Sequence, residues 1–588
     1  MTSFVAVVGT GRGIPDLPAA CVAAARLTPT VVPVLHASDG CSAAAFGGPD
    51  HRVPLLAAGA RLICGDVRLD GAAQLAKALQ LPDGAHRAPG RPDPWVGRHV
   101  ALVAAAHDAW DAEAPARLRG DFSYLAWDPV RRHALAARDG LGVRPLFFAR
   151  TAGAVVLSNV LNAVRAHPGV SSRLNPEAVA SFLQVGWNQD LESTTFADIR
   201  RVPPGHLLRI VDGEVTVTRH WSLPDPPPIE LADDAEYTER YRALLETAVA
   251  ERLAPDRTVL FLSGGIDSPT IAAAAVSGGH GAELATVTIR NREVETETES
   301  RLAAAVAERL RLRHRLLEYA LAPTPEDPPA TPEPYDDPEY RATTAFYREV
   351  SAGASVVIEG EDGDALFSPP SFLHQARHHG AFAVLRRFAA YTIGHGRRPY
   401  LGFWLRRRIA GVRRPLRPHV APWLVGAAAA IPDRPTSAVS HRARPEAATS
   451  LTSSIWQCVH DGCSQAYHGT PFEFRWPLLD TRLIEFVFSI PPVPWCQRKW
   501  LARRAYAARL PAQVLTRDKT TVPGYYERLV AAWRARTGGR VDLRAPATAE
   551  FVDAGRLTTA LAATDTETVM AAWRAIEFDR WVHAAGLR

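Results

Sequence analysis

The stretch FLSGGIDSPTIAAAAV, beginning at Phe261, constrains what this chain can fold into more than any other part of it. The apolar run TVLFLS has the pattern of a buried strand, and TIAAAAV that of a helix. An amphipathic helix, EYTERYRALLETAVAERL, precedes them; a strand, ELATVTI, and a helix, ESRLAAAVAERL, follow. Strands alternating with helices specify a parallel sheet with helices on both faces. In such a sheet ligands bind where the carboxyl end of a strand turns into a helix, and residues 263–268 occupy that turn. Gly264 and Gly265 let backbone N–H groups converge, Ser263 and Ser268 add hydroxyl donors, and the helix N-terminus adds positive potential. That combination suits phosphate or pyrophosphate. It lacks the Gly-Lys-Ser/Thr ending of a Walker loop, so γ-phosphoryl transfer is not expected.

The rest of the chain divides around this unit. The first roughly 220 residues read as short strands and turns; in GDFSYLAWDPVRRHALAARD, from Gly120, apolar residues alternate on either side of an Asp-Pro turn, the mark of a hairpin. The linker LPDPPPIE, Leu223 to Glu230, sets the boundary, giving a β-rich domain over 1–222 and an α/β domain over 234–588. A chain of 588 residues is too long for one ordinary core, which agrees with two domains. Residues 321–338 are proline-rich and read as a surface loop, and the Arg- and His-rich 374–417 as solvated helix faces.

Composition excludes several classes of function. A hydrophobic fraction of 47% and a charged fraction of 22% are those of a soluble globular protein, and no long uninterrupted apolar run predicts a membrane span. The N-terminus MTSFVAVVG lacks a basic lead and long apolar core, so a cytoplasmic protein is expected. Net charge of +5 does not call for nucleic acid. Cys458 and Cys463 lie near His460 and His468, but no second cysteine pair supports zinc, and buried reduced thiols are expected. Of the 67 basic residues only Lys77, Lys499 and Lys519 are lysine. A lysine in so arginine-rich a chain can mark a place where a compact ammonium is needed. Lys499 is nevertheless read as structural.

Five motifs together resemble the asparagine-synthetase superfamily of ATP-pyrophosphatases. LSGGIDS resembles its pyrophosphate loop, RDGLGVRPLFF (138–148) the end of its glutaminase-like domain, and EGEDGDALF (359–367) its second acidic motif. FEFRWPLLDTRLIEFVFSIPP (472–492) and RKWLARRAYAARLPAQVLTRDKT (498–520) resemble its C-terminal signature and lysine-bearing segment. The resemblance implies a class II glutaminase-like (Ntn) α+β sandwich followed by a parallel-sheet ATP-pyrophosphatase domain. It implies ATP and Mg²⁺ as cofactors, with Asp267 and Asp364 as magnesium ligands and Leu262, Ile289 and Gly360 around adenine and ribose. Lys519 takes the place of the lysine that contacts the α-phosphate and acyl group. Glu361 is the candidate proton acceptor, and Glu299 matches an acidic position at the head of the next helix. Ala365 departs from the glutamate found in many relatives.

The glutaminase half departs further. Relatives that hydrolyse glutamine carry cysteine at position 2, where this chain has Thr2, and their Asn-Gly-Glu segment has only GDVRLDG (65–71) as a remnant. A degenerate domain is expected, with the amine coming from elsewhere. Members without that cysteine include β-lactam synthetases and the cyclases of lasso peptide biosynthesis. The segment IPPVPWCQRKWLARRA with LPAQVLTRDKT resembles the cyclases, and the extra length around 370–460 suits a peptide. The implied substrate is a linear, leader-cleaved core peptide whose Asp or Glu carboxylate is adenylated and then joined to its N-terminal amine. The implied partners are a leader peptidase and a leader-binding protein. A small-molecule amide synthetase and an inactive scaffold are the alternatives.

Overall fold

The computed structural model describes residues 2–47, 55–58, 61–81, 99–254, 257–292, 297–319, 331–337, 339–402, 421–430, 441–518, 524–537 and 543–587. Lys519, residues 321–330 and 338 of the proline-rich stretch and the later part of the Arg/His-rich segment lie outside them. Residues 331–334 are buried, with Glu333 paired to Arg201, which corrects the surface-loop reading for that part.

Two six-stranded sheets, antiparallel in their recorded pairings, form the N-terminal unit. The strand Ser3–Gly9 shows why they stack. Phe4, Ala6 and Val8 point into the core between the sheets, while Val5 and Val7 point to the helices outside. A strand with period-two side chains and both faces covered must be apolar throughout, as SFVAVVG is. Gly120–Asp128 repeats the logic in the other sheet, with Leu125 and Trp127 inward and Phe122, Tyr124 and Ala126 under the helix His99–Trp110. It pairs antiparallel with His133–Arg138, and Asp128 closes the hairpin by accepting from the N–H groups of Val130 and Arg131. The result is a four-layer helix–sheet–sheet–helix sandwich.

The second unit is built on five parallel strands in the spatial order 313–319, 284–291, 258–261, 356–358, 473–475. Chain order runs outward from Thr258–Phe261 in one direction and then, from Val356–Ile358, in the other. The crevice at the carboxyl ends of those two neighbouring strands is therefore the point where the winding reverses. Both acidic motifs emerge there.

The two units share their packing. The helix Thr566–Ala584 returns to the first unit, where Trp573, Phe578 and Trp581 join one core with Val5, Phe147, Val179 and Phe182. Buried ion pairs cross the same boundary. Arg144 bridges Asp66 and Glu473, Arg252 bridges Asp70 and Asp480, and Arg201 bridges Glu333 and Asp461. Asp70, Glu251 and Asp480 lie close enough to share a cation, and the guanidinium groups of Arg68, Arg252 and Arg482 already supply that charge. This is the sole such group among the described residues. Cys458 and Cys463 are free thiols, half-buried rather than fully buried as expected, and desolvation pushes the Cys458 thiol up to about 12. Among the described residues no helix is long and apolar enough to cross a membrane.

Candidate active site

The turn after Thr258–Phe261 is held in shape by its own side chains. Leu262 N–H donates to the Val287 carbonyl at 2.8 Å, which fixes the turn against the next strand. Ser263 N–H donates to the Ser268 hydroxyl at 2.9 Å, and the two hydroxyls lie 3.0 Å apart. The helix Asp267–Ser277 begins inside the motif, so Asp267 stands in its first turn. Gly264 is required by crowding: a Cβ there would meet Arg517 Nη1 at 2.7 Å and the Glu299 carbonyl at 3.0 Å.

That crowding comes from a clamp. Glu299, near the start of the helix Glu297–Leu310, accepts from Gly264 N–H at 2.9 Å. Arg517 pairs with Glu299 at 2.7 Å and donates to the Gly264 carbonyl at 3.0 Å. A carboxylate thus stands on one amide of the glycine turn. Arg517 lies within the quoted motif LTRDKT, but sequence reasoning assigned it no role.

The second acidic motif approaches from the strand Val356–Ile358. A Cβ on Gly363 would lie 2.2 Å from Asp267 Oδ1, so the two loops can touch only because residue 363 has no side chain. Asp364, in the short helix Gly363–Leu366, is thereby brought beside Asp267. The Lys499 ammonium contacts both carboxylates, at 2.5 Å from Asp364 Oδ1 and also directly on Asp267 Oδ2. Lys499 is therefore part of the site, which corrects its reading as a structural residue. Its segment is unusual: Arg498 and Lys499 have consecutive left-handed backbones, with φ of 52° and 58°. Non-glycine residues hold that conformation only when their surroundings impose it. Arg503 does so, donating to the carbonyl of Arg498 at 2.7 Å and to those of Val514 and Arg517 at 3.1 and 2.9 Å.

These loops open into one cavity of about 1420 Å³. Leu262, Ser263, Gly265, Asp267, Ser268, Ile289, Glu299, Gly360, Glu361 and Asp364 all line it, whereas Gly264 does not. A basic wall completes the lining, with Arg397, Arg398, Arg498, Lys499, Arg503 and Arg517, of which Lys499 touches the acidic pair and Arg517 the glycine turn. Apolar Leu262, Val287 and Ile289 beside a basic wall give one cavity a surface for a flat ring and a surface for polyphosphate. Asp267 and Asp364 converge on one cation, and paired hard carboxylate oxygens are the donors magnesium takes together with phosphates, so the residues present fit that ion.

Two further acids adjoin Glu361. Glu359 is half-buried in the wall and Asp362 wholly buried behind it. Burial, and then the charge of Glu361, push both carboxyls well above their ordinary range, so they resist ionising. Neither carboxyl oxygen of Asp362 has a partner among the described residues.

Position 2, where the resemblance would place a glutaminase nucleophile, is closed in. Thr2 is 2% exposed, its hydroxyl donates to Asp66 Oδ1 at 2.7 Å, and its carbonyl accepts from Asn159 at 2.9 Å.

The folds of the two units, a glutaminase-type sandwich and a parallel sheet with a glycine turn at its reversal point, define a two-domain protein of the amidotransferase–synthetase class. Sequence comparison agrees: the Asparagine synthase family profile matches residues 240–583, and the Glutamine amidotransferase domain profile residues 100–221. The chain belongs to the asparagine synthase family. It is 28% identical over 172 residues to glutamine-hydrolyzing asparagine synthetase 3 of Bacillus subtilis, covering 29% of this chain and 27% of that protein. It is 32% identical over 282 residues to a putative glutamine-hydrolyzing asparagine synthetase of Mycobacterium tuberculosis, covering 46% and 42%. Amidase chry2 of Gibberella zeae is 32% identical over 176 residues, covering 29% and 25%. The matches thus span less than half the length of these curated relatives.

Proposed function

We propose that this protein is an ATP-dependent, AMP-forming amide ligase, and that the amide it makes closes a ring in a linear peptide, as in lasso peptide cyclases. The observation that carries the reading is an asymmetry between the two units. The synthetase cavity assembles two acidic loops and a basic wall, whereas position 2 carries a buried, hydrogen-bonded threonine. An enzyme that activates a carboxylate without making ammonia at that position takes its amine from a substrate. A cavity of about 1420 Å³ is larger than the roughly 300–1,000 Å³ usual for small ligands, which leaves space for a nucleotide and part of a peptide together.

Asp267 and Asp364 would hold magnesium, which when bound neutralises phosphate charge. Leu262 and Ile289 seat the nucleoside of ATP, and the Ser263–Ser268 turn faces its phosphates. The substrate carboxylate attacks the α-phosphorus, and the basic wall stabilises the departing pyrophosphate. Glu361 then takes a proton from the N-terminal amine as that amine attacks the adenylate. An α-amine titrates near ~8, so it needs such an acceptor at neutral pH. Lys519 is assigned to the oxyanion and the departing AMP on the motif RDKT alone.

The names of the relatives favour a second reading, a small asparagine-type amide. One experiment separates the two. Purified enzyme is given ATP, Mg²⁺ and either a linear core peptide or aspartate with ammonium, and AMP and product mass are followed. Peptide that loses one water with stoichiometric AMP supports cyclisation. Asparagine formation without peptide turnover overturns it, and neither product with any acid tested supports the scaffold alternative.

A further inference from the structure

The ammonium of Lys499 stands where the two acidic loops meet. It contacts Asp267 and Asp364 together, and its side chain is only 12% exposed although Asp364 is 46% exposed. Without a cation between them, two carboxylates held this close would repel each other and spread the loops. Of the other basic residues on the wall, Arg397, Arg498, Arg503 and Arg517 have partners of their own. Arg498 pairs with Asp518, Arg517 with Glu299, and Arg503 with backbone carbonyls. The backbone under Lys499 is fixed by its left-handed conformation and by Arg503, while its four-carbon stem is not. The ammonium can therefore move although its anchor stays.

We propose that Lys499 is a displaceable internal cation, which occupies the Asp267–Asp364 pair in the nucleotide-free enzyme and must withdraw before a divalent cation can bind there. The carboxylate pair can be neutralised by the lysine or by the metal, so the two compete. The competition keeps the loops together at rest, and it weakens metal binding until a second anion is available to receive the ammonium. ATP brings that anion with it. Metal entry is thus coupled to the arrival of polyphosphate rather than preceding it, a coupling that is reciprocal by linkage. The inference rests on the assignment of Asp267 and Asp364 as cation ligands and is independent of which amide is made.

The probe is Mn²⁺ binding to nucleotide-free enzyme, followed by electron paramagnetic resonance. Lys499→Met keeps the length of the side chain and removes its charge. We expect the variant to bind Mn²⁺ at least tenfold more tightly than wild type, although its turnover falls. Equal or weaker binding by a variant that melts at the wild-type temperature overturns the proposal. The wild type supplies a second readout that needs no variant. With three lysines in the chain, acylation read by mass spectrometry assigns each amine separately. Lys499 should be protected in metal-free enzyme and gain reactivity as Mn²⁺ is raised without nucleotide; reactivity that stays flat through saturation overturns the proposal. Neither measurement involves the acid or amine substrate, so failure of the peptide reading leaves both interpretable.

Discussion

The hydroxyl of Thr2 donates to a carboxylate oxygen of Asp66 at 2.7 Å, with the Gly65 carbonyl a further 3.2 Å contact. A hydroxyl held between two acceptors and shut off from solvent has no open approach for a substrate. Thr2→Ala should leave ATP-dependent pyrophosphate release within about twofold of wild type. It should cost about 1 kcal/mol of stability, the ordinary value of one buried hydrogen bond. Glutamate release from glutamine by wild type that vanishes in the variant would show Thr2 to be a nucleophile.

Gly363→Ala tests the contact between the acidic loops. The added methyl would lie 2.2 Å from Asp267 Oδ1, so the carboxylate or the whole 359–364 turn must shift. Pyrophosphate release should fall at least 100-fold, the size of effect that a misplacement of about 1 Å produces. Near-normal rates in a folded variant would mean that Asp267 does not act from its observed position.

Arg252 is 1% exposed in its side chain and holds Asp70 from the first unit and Asp480 from the second. Arg252→Met removes one cation from a buried cluster in which Asp70 keeps Arg68 and Asp480 keeps Arg482, so it should cost less than the ~3–5 kcal/mol of a fully uncompensated buried charge. Urea denaturation measures the loss. Adding Asp70→Asn should recover part of it, because the cluster then loses its excess negative charge; no recovery would mean the arginine contributes by packing alone.

His468 gives the pH dependence. Its Nε2–H donates to the Cys463 carbonyl, and its Nδ1 accepts from Thr470, an arrangement only the neutral ring can make. Burial lowers its pKa from 6.5 to about 3. A base so depressed is protonated first in the unfolded chain, so its contribution is whole above about 6.5 and is lost as pH falls toward about 3. At pH 5 the loss is about 2 kcal/mol. His468→Gln should be less stable than wild type at pH 7.5, and the gap between their melting temperatures should narrow at pH 5. A gap independent of pH would show that His468 does not remain neutral in the fold.

The glycine turn was legible because its determinants are local. A strand, two glycines and a helix within 258–277 specify their own geometry, and so do the hairpin strands around Asp128. Lys499 was not legible in the same way, since it meets Asp267 across 232 residues of chain and nothing near it in sequence states that meeting. The scarcity of lysine was a signal, but it pointed equally to Lys519. Arg517 was hidden differently: arginine is this chain's default cation, so one more carries little information. The partner of the helix Thr566–Ala584 also escaped, because apolar residues on a helix record that a face is covered and not by what.

That last helix changes how the chain can be divided. Arg574 donates to the Gln184 carbonyl and Arg165 to the Ala585 carbonyl, so the closing segment is latched to the opening one from both sides. Cleavage in the linker at 223–230 would yield a nicked protein that elutes as one species, not two free fragments. Expression of 234–588 alone would present Trp573, Phe578 and Trp581 to water and invite aggregation. Whatever chemistry the first 222 residues perform, their outer surface is inherited as a mould for the tail of the chain, and a chimera that replaces one half must bring a matching mould for the other.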